Sequence, residues 1–498
     1  MASLGRQPVE ERLNRLVISI EPHGLHSESS YNPVAACSAC CLINIITSDG
    51  PSGNCNNCWL AGQPRVIYLA PGTCTLSSTL YEYTDTVIIA DAFNPPVTKA
   101  SSGFNGDYLI DGGQGDVFDR PCGGFGGETH FSIMFRNVIL DTTSSTGKAG
   151  FTALSWAVAQ NCALVNDKIS MPQSAHTGMV MGPGSIISVS DVHFTYGNVG
   201  LHWAGHQQGQ LKGMSFDQCT IGILIDGGNN ISILAPSCNT VGNCIVVNSG
   251  HPWAAVIDGQ NTNSGDLFTS KVQYPSFMLK NISNNNGQIK FVTIDDNARI
   301  GGKNSLGTCI YGNTRGVNLI YQTNPSEKAP NRPAALAPGG KYPSISAPQY
   351  ADKKVSDVIN LKDVNQNGGF NLHGYGNVDD TQALEGALNT AATKGKKVTS
   401  TAGIPPGTEL YGEAGSTISG FGKAFASASN PTPVVQIGST PDQKGTARVQ
   451  DIRFTVHEAL AGAILLRINM AGNSPGYSLE ISLILHDEQE FIFVKYRD

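Results

Sequence analysis

From about residue 64 to 325 the chain is a succession of short, β-prone apolar runs broken by Gly, Asn, Asp and Ser, with scarcely any helical spacing. Such a pattern predicts strands joined by turns. Related phrases recur along it: "FRNVILDTT" at 135–143, "LVNDKISMP" at 164–172, "VSDVHFTYG" at 189–197, "LKGMSFDQC" at 211–219, "GNNISILAPSC" at 228–238 and "MLKNISNNN" at 278–286. An imperfect repeat of about 20 residues, each unit a few short strands with alternate residues turned inward, predicts a parallel β-helix. One coil cannot bury its own apolar face, but stacked coils share a core. A sandwich of hairpins is the competing arrangement. It calls for more two-residue N-G or D-G turns between matched strands than the chain carries.

Helical spacing enters late. In "GYGNVDDTQALEGALNTAATKGKKV" at 374–398, Ala383, Leu384, Ala387, Leu388 and Ala391 lie on one face. Asp379, three residues before Gln382, forms a D-x-x-Q capping box. An amphipathic helix covers the open end of a coil stack, so this motif marks the start of a second solenoid. Before it, residues 325–356 are rich in Pro, Ala and Ser with little to bury and read as an interdomain linker.

Composition narrows the ligand more than the fold. Charged residues make up 14% of the 498, the formal net charge is -7, and there is no run of Lys and Arg, so the chain offers no footprint for nucleic acid or an anionic membrane. The longest apolar stretches fall short of the roughly 18–20 residues that span a bilayer. The expected ligand is neutral or small. Twelve cysteines and the sequons at Asn230 and Asn281 suit an exported protein, although no signal peptide is visible. Cys37, Cys40, Cys55 and Cys58 form two C-x-x-C pairs at nearly zinc-ribbon spacing, but the segment between them lacks the usual Gly knuckles. Disulfides or unpaired thiols are the alternative, and no metal or cofactor is expected.

Several stretches, in order, resemble glycoside hydrolase family 55. They are "VIYLAPGT", "NPPVTKASSGFNG", "LSWAVAQNCAL", "HQQGQLKGMSFDQC", "GYGNVDDTQAL", "IPPGTELYGE", "NPTPVVQIG" and "RVQDIRFTV". The resemblance covers roughly residues 50–475. It implies an all-β fold of tandem right-handed parallel β-helices of the pectate-lyase-like type. The expected division is an unassigned segment at 1–50, a first β-helix at 51–325, the linker at 326–356, a partial second β-helix at 357–475 and an unmatched tail at 476–498. It implies a secreted monomer acting as an inverting exo-β-1,3-glucanase on β-1,3-glucan. Inversion needs an acid on one side of the bond and a positioned water on the other, with a gap of roughly 6.5–9.5 Å between the two groups. By the resemblance the acid belongs to later coils of the second domain, beyond the point where this chain diverges, so weak or absent activity is expected. A non-catalytic polysaccharide-binding β-helix or non-functional product is the alternative, and a polysaccharide lyase the third reading.

The resemblance places Gln208 and Ser232 as holders of the catalytic water, with Gln207 and His206, which replaces the family's Asn, beside the substrate; Trp203, close to "HQQ", is the candidate pocket wall because its indole can stack on a sugar. The competing reading puts Gln208 and Ser232 in the polar ladders that satisfy β-helix turns. Trp156 is expected in the core. Glu413 is read as structural, and Glu480, Asp487, Glu488 and Glu490 lie in unmatched sequence. Asn230 and Ser232 are two apart on a presumed strand and share a face, so a glycan on Asn230 would crowd any water that Ser232 holds.

Overall fold

The computed structural model describes residues 65–82, 86–112, 127–313, 321–322, 332–334, 336–344, 346, 359–374, 378–393, 403–405, 408–412, 416–441, 443–445, 447–450, 452–456 and 459–472. They fall into two compact units divided between residues 349 and 350.

The first unit is a parallel solenoid. Strands Gln208–Lys212, Asn230–Leu234, Trp253–Ile257 and Ser276–Asn284 pair in parallel, in register, and the ladder runs back without a break to Arg65–Leu69. We call this sheet A. A second ladder, sheet B, includes Ser215–Asp217, Ser237–Asn239 and Gln260–Thr262. A third, sheet C, includes Ile221–Asp226, Asn243–Ser249 and Phe268–Ser270. Successive coils pass through the three sheets in turn and pair in parallel with the coils before and after, which excludes the hairpin sandwich. The stack ends where Ser305–Asn313 pairs antiparallel with Ser276–Asn284, covering the last sheet edge.

The recurring phrases mark one corner. Between sheets A and B, Asn137, Asn166, Asp191, Gly213, Ala235, Asp258 and Asn281 all adopt φ between 53° and 65°. Asn, Asp and Gly tolerate this left-handed conformation best, which is why they dominate these positions. Side chains stack along the corner: Asn166 Nδ2 donates to Asn137 Oδ1 at 2.8 Å, and Asn137 Nδ2 donates to the Ala90 carbonyl at 3.0 Å. Gly213 has a second reason to be glycine, because a Cβ there would lie 2.4 Å from Asp191 Oδ1.

Inside, like stacks on like. Phe194 and Phe216 lie nearly parallel with ring centres 5.1 Å apart. Gly178 and Gly200 leave the space these rings fill, since a Cβ at either would come within 2.6 Å of a ring carbon. Trp156 and Trp203 are fully buried. A disulfide joins Cys238 to Cys244, and the thiol of Cys219 is buried beside this core.

The stretch read as a linker is described in part, and those residues lie against the first unit. Arg332 pairs with Asp258 (2.6 Å), the Tyr342 amide donates to the same carboxylate (2.9 Å), and Ser346 Oγ donates to Asp191 (3.1 Å). Composition conceals this, because its partners lie 74, 84 and 155 residues away in sequence.

In the second unit the helix runs Thr381–Thr393 and buries Leu384, Ala387 and Leu388, with Ala383 and Ala391 packed against the same core, as the spacing predicts. Its start differs from the D-x-x-Q box. Asp379 Oδ1 accepts from the Thr381 amide, while the Asp380 carboxylate gathers the His373 and Gly374 amides and His373 Nδ1. Parallel pairs then follow, Gly403–Ile404 with Thr432–Ile437 and Thr417–Gly420 with Arg453–Val456, so a second parallel stack begins here.

The corner geometry yields a stability test. Gly213→Val combines an unfavourable φ with a clash against Asp191 and should lower unfolding free energy by about 2–3 kcal/mol in a denaturant titration. An unchanged midpoint would show that the corner tolerates any residue.

Candidate functional site

Alternation on sheet A decides what faces solvent. Gly209, Ile231, Ala254 and Phe277 occupy one inward column, and Leu211, Ile233, Val256 and Leu279 the next. Gln208, Asn230 and Trp253 therefore form an outward column in direct register, and Gln210 and Ser232 stand in the column beside it. Gln208, Gln210, Asn230 and Ser232 are exposed and Trp253 is half-buried. Neighbouring strands are about 4.8 Å apart, so Gln208 and Trp253 lie about 10 Å apart across the face. Gln208 and Ser232 are diagonal neighbours on it. Asn230 shares the face, which keeps the expected conflict between a glycan and a water at Ser232.

Two residues expected beside the substrate are elsewhere. Trp203 and His206 are both 0% exposed. The Trp203 indole donates from Nε1 to the His206 carbonyl at 2.9 Å, and the two rings meet edge to face. Gly209 makes room for this indole, because a Cβ there would lie 2.7 Å from it. His206 faces the Gly182 and Ser185 carbonyls, and burial holds its pKa below the usual histidine value against the pull of those carbonyls. The signal was in the alternation, since Trp203 shares its parity with Val199 and Leu201. Trp253 is the tryptophan that reaches the polar face.

Gln207 lies at the margin of the face, where its Nε2 donates to Glu128 Oε1 at 3.1 Å. Glu128 was missed because nothing local links residue 128 to residue 207; only coil stacking does. Asp226 is on sheet C and accepts from His202 (2.9 Å), Asn248 (2.8 Å) and Ser249 (2.8 Å). Partial burial works to raise its pKa, but these bonds win and hold it below the ordinary carboxylate value. A carboxylate so stabilised is a poor proton donor.

Two acids of the first unit with strongly raised pKa lie in its interior. Burial raises Glu82 well above its usual value, with Asp167 adding to the rise. Asp167 is pushed up to about 7 by burial, against the opposing effects of the Val138 and Val165 amides and Arg136. Both are nearly inaccessible, so neither can touch a polysaccharide. Cys37, Cys40, Cys55, Cys58, Trp59, Glu413 and the tail acids Glu480, Asp487, Glu488 and Glu490 lie outside the described residues. Among the described residues no cluster of His, Cys, Asp and Glu could hold a metal ion.

Residues 55–251 match the family described as Rhamnogalacturonase A/epimerase, pectate lyase-like. The chain is 40% identical over 459 residues to glucan endo-1,3-beta-glucosidase BGN13.1 of Trichoderma harzianum, covering 90% of this chain and 59% of that protein. It is 29% identical over 443 residues to glucan 1,3-beta-glucosidase of Cochliobolus carbonum, covering 82% and 54%. It is also 27% identical over 472 residues to the non-secreted LysM effector LysM19 of Penicillium expansum, covering 87% and 36%. The solenoid and the matched family define a pectate-lyase-like β-helix protein. In sequence it is similar to proteins named glucan 1,3-β-glucosidases. It spans less than two thirds of the length of each of these relatives.

The buried acids set a pH dependence. A carboxyl whose pKa is raised on folding contributes its stability below the unfolded value near 4 and loses it as pH rises through the folded value. For Asp167 that window runs from about 4 to about 7. Wild type should therefore melt at a lower temperature at pH 8 than at pH 5, and Asp167→Asn should reduce the difference. An undiminished difference in Asp167→Asn would remove Asp167 as its source.

Proposed function

We propose that the chain is a β-1,3-glucan hydrolase whose first unit holds the sugar on the outward face of sheet A. The observation that carries this reading is the exposed ladder of Gln208, Gln210, Asn230 and Ser232 with Trp253 in register. Amides and a hydroxyl both donate and accept, matching sugar hydroxyls, and an indole offers an apolar platform for a pyranose ring. The three strands 208–212, 230–234 and 253–257 carry a single charge, Lys212, and it is paired with Asp191 at 3.4 Å. An uncharged face favours a neutral glucan over a uronic-acid polymer, which would need unpaired cations. The names of the relatives supply the linkage.

Gln208 and Ser232 lie close enough to bind one water between them, and neither is basic enough to deprotonate it alone. Positioning is therefore their contribution. The same strands carry no carboxylate, so protonation of the leaving oxygen falls to a residue outside this face. The family resemblance implies attack from chain ends, whereas one relative is named an endo-enzyme. Product analysis distinguishes the two: glucose alone marks exo cleavage, and laminari-oligosaccharides mark endo cleavage.

Titration with laminarin and assay of reducing sugar test the proposal. Trp253→Ala should weaken binding about tenfold, equivalent to roughly 1.4 kcal/mol. Gln208→Ala should leave binding within about threefold and lower turnover about a hundredfold. Binding sensitive to Trp253 with no turnover in wild type would favour a non-catalytic polysaccharide binder. Neither binding nor turnover would overturn the reading.

A further inference from the structure

The stretch from Arg332 to Ser346 forms a strap along the corner between sheets A and B. Gly340, Tyr342 and Ser346 meet the coils of Asn281, Asp258 and Asp191. The six residue steps from 340 to 346 can reach about 20 Å, and the four coil steps from Asn281 to Asp191 span about 19 Å. The two corners crossed between Asp258 and Asp191 are Ala235 and Gly213, the smallest in the column. The strap crosses these corners because no large side chain projects there.

Asp258 anchors it. Arg332 and Asp258 are 4% and 1% exposed, and Arg332 also lies 4.2 Å from the centre of the Tyr342 ring. Lys280 Nζ donates to Tyr342 Oη at 3.2 Å. Asn281 completes the arrangement: its Nδ2 donates to Asp258 Oδ1 at 2.5 Å and to the Gly340 carbonyl at 3.2 Å. Both amide hydrogens are thus committed, one to the anchor and one to the strap itself.

Asn281 is also the acceptor of an N-I-S sequon. We propose that Asn281 is an N-glycosylation site whose occupancy releases the strap. In that reaction an oligosaccharide passes from a lipid-linked pyrophosphate donor to Nδ2. A bond forms between Nδ2 and the anomeric carbon, the anomeric carbon–oxygen bond to pyrophosphate breaks, and one amide proton is lost as the lipid pyrophosphate leaves. One hydrogen then remains on Nδ2 for two acceptors, and the sugar occupies the space beside Asn281 where Gly340 lies. The strap and the glycan are mutually exclusive on this side chain. Asn230, exposed on sheet A with no described residue of the strap over it, lacks this coupling, and a glycan there would crowd Ser232 instead.

The test leaves Asn281 intact and changes only the third sequon position, which is exposed. Wild type, Ser283→Ala (no sequon) and Ser283→Thr (a more efficient sequon) are produced as the full chain through the secretory pathway of a eukaryotic host. Site-resolved mass spectrometry then reports occupancy at Asn281 and Asn230. Hydrogen exchange at the Tyr342 amide and proteolysis within 332–346 report strap docking. The expected result is a protected strap in Ser283→Ala, and at least tenfold faster Tyr342 exchange with strap cleavage in the Asn281-occupied fraction of Ser283→Thr. Equal protection in occupied and unoccupied molecules would overturn the proposal. Absence of Asn281-occupied molecules in Ser283→Thr, with Asn230 occupied, would also overturn it.

Discussion

From Asn137 to Asn281 seven successive coils of the first unit turn from sheet A to sheet B through one residue in the left-handed conformation, and the rest of the unit depends on keeping those residues in a column. A parallel stack tolerates no drift, because a one-residue slip sends inward side chains outward. The corner sets that register. With it, Phe216 lies on Phe194, Trp203 fills the space left by Gly209, and Gln208, Asn230 and Trp253 align on the outer face. The polar ladder is therefore a consequence of the same register that builds the core.

Much of this was readable from the chain. "FRNVILDTT", "VSDVHFTYG" and "LKGMSFDQC" place Asn137, Asp191 and Gly213 third in the phrase and "MLKNISNNN" places Asn281 fourth, and these are the corner residues. Asn, Asp and Gly recur there for a backbone reason, so the repeat survives while the rest of each coil varies. Alternation likewise put Asn230 and Ser232 on one face. It would also have placed Trp203 inside, but indole chemistry and proximity to "HQQ" outweighed parity. Contacts spanning several coils leave no local trace. Glu128 meets Gln207 across 79 residues, and Arg332 meets Asp258 across 74, so composition alone made the strap look like a tether.

The two polar systems on the outside of this unit divide by charge. Along the corner, carboxylates at Asp191 and Asp258 are matched by Lys212 and Arg332 and hold the strap. A buried pair such as Arg332–Asp258 does more for the uniqueness of the docked position than for net stability, since desolvation offsets most of the attraction. On sheet A, the side chains of Gln208, Gln210, Asn230 and Ser232 are neutral and have no hydrogen-bond partner among the described residues. Polar groups without a structural partner, arranged in register and flanked by an indole, are available to a ligand.

Hydroxyl-radical footprinting with and without saturating laminarihexaose tests the use of that face most directly. Oxidation of Trp253 should fall several-fold in the presence of the oligosaccharide, while buried Trp156 and Trp203 stay unreactive in both states. Oxidation of Trp253 at the same rate with the sugar bound would contradict the account, because the sugar would then lie elsewhere.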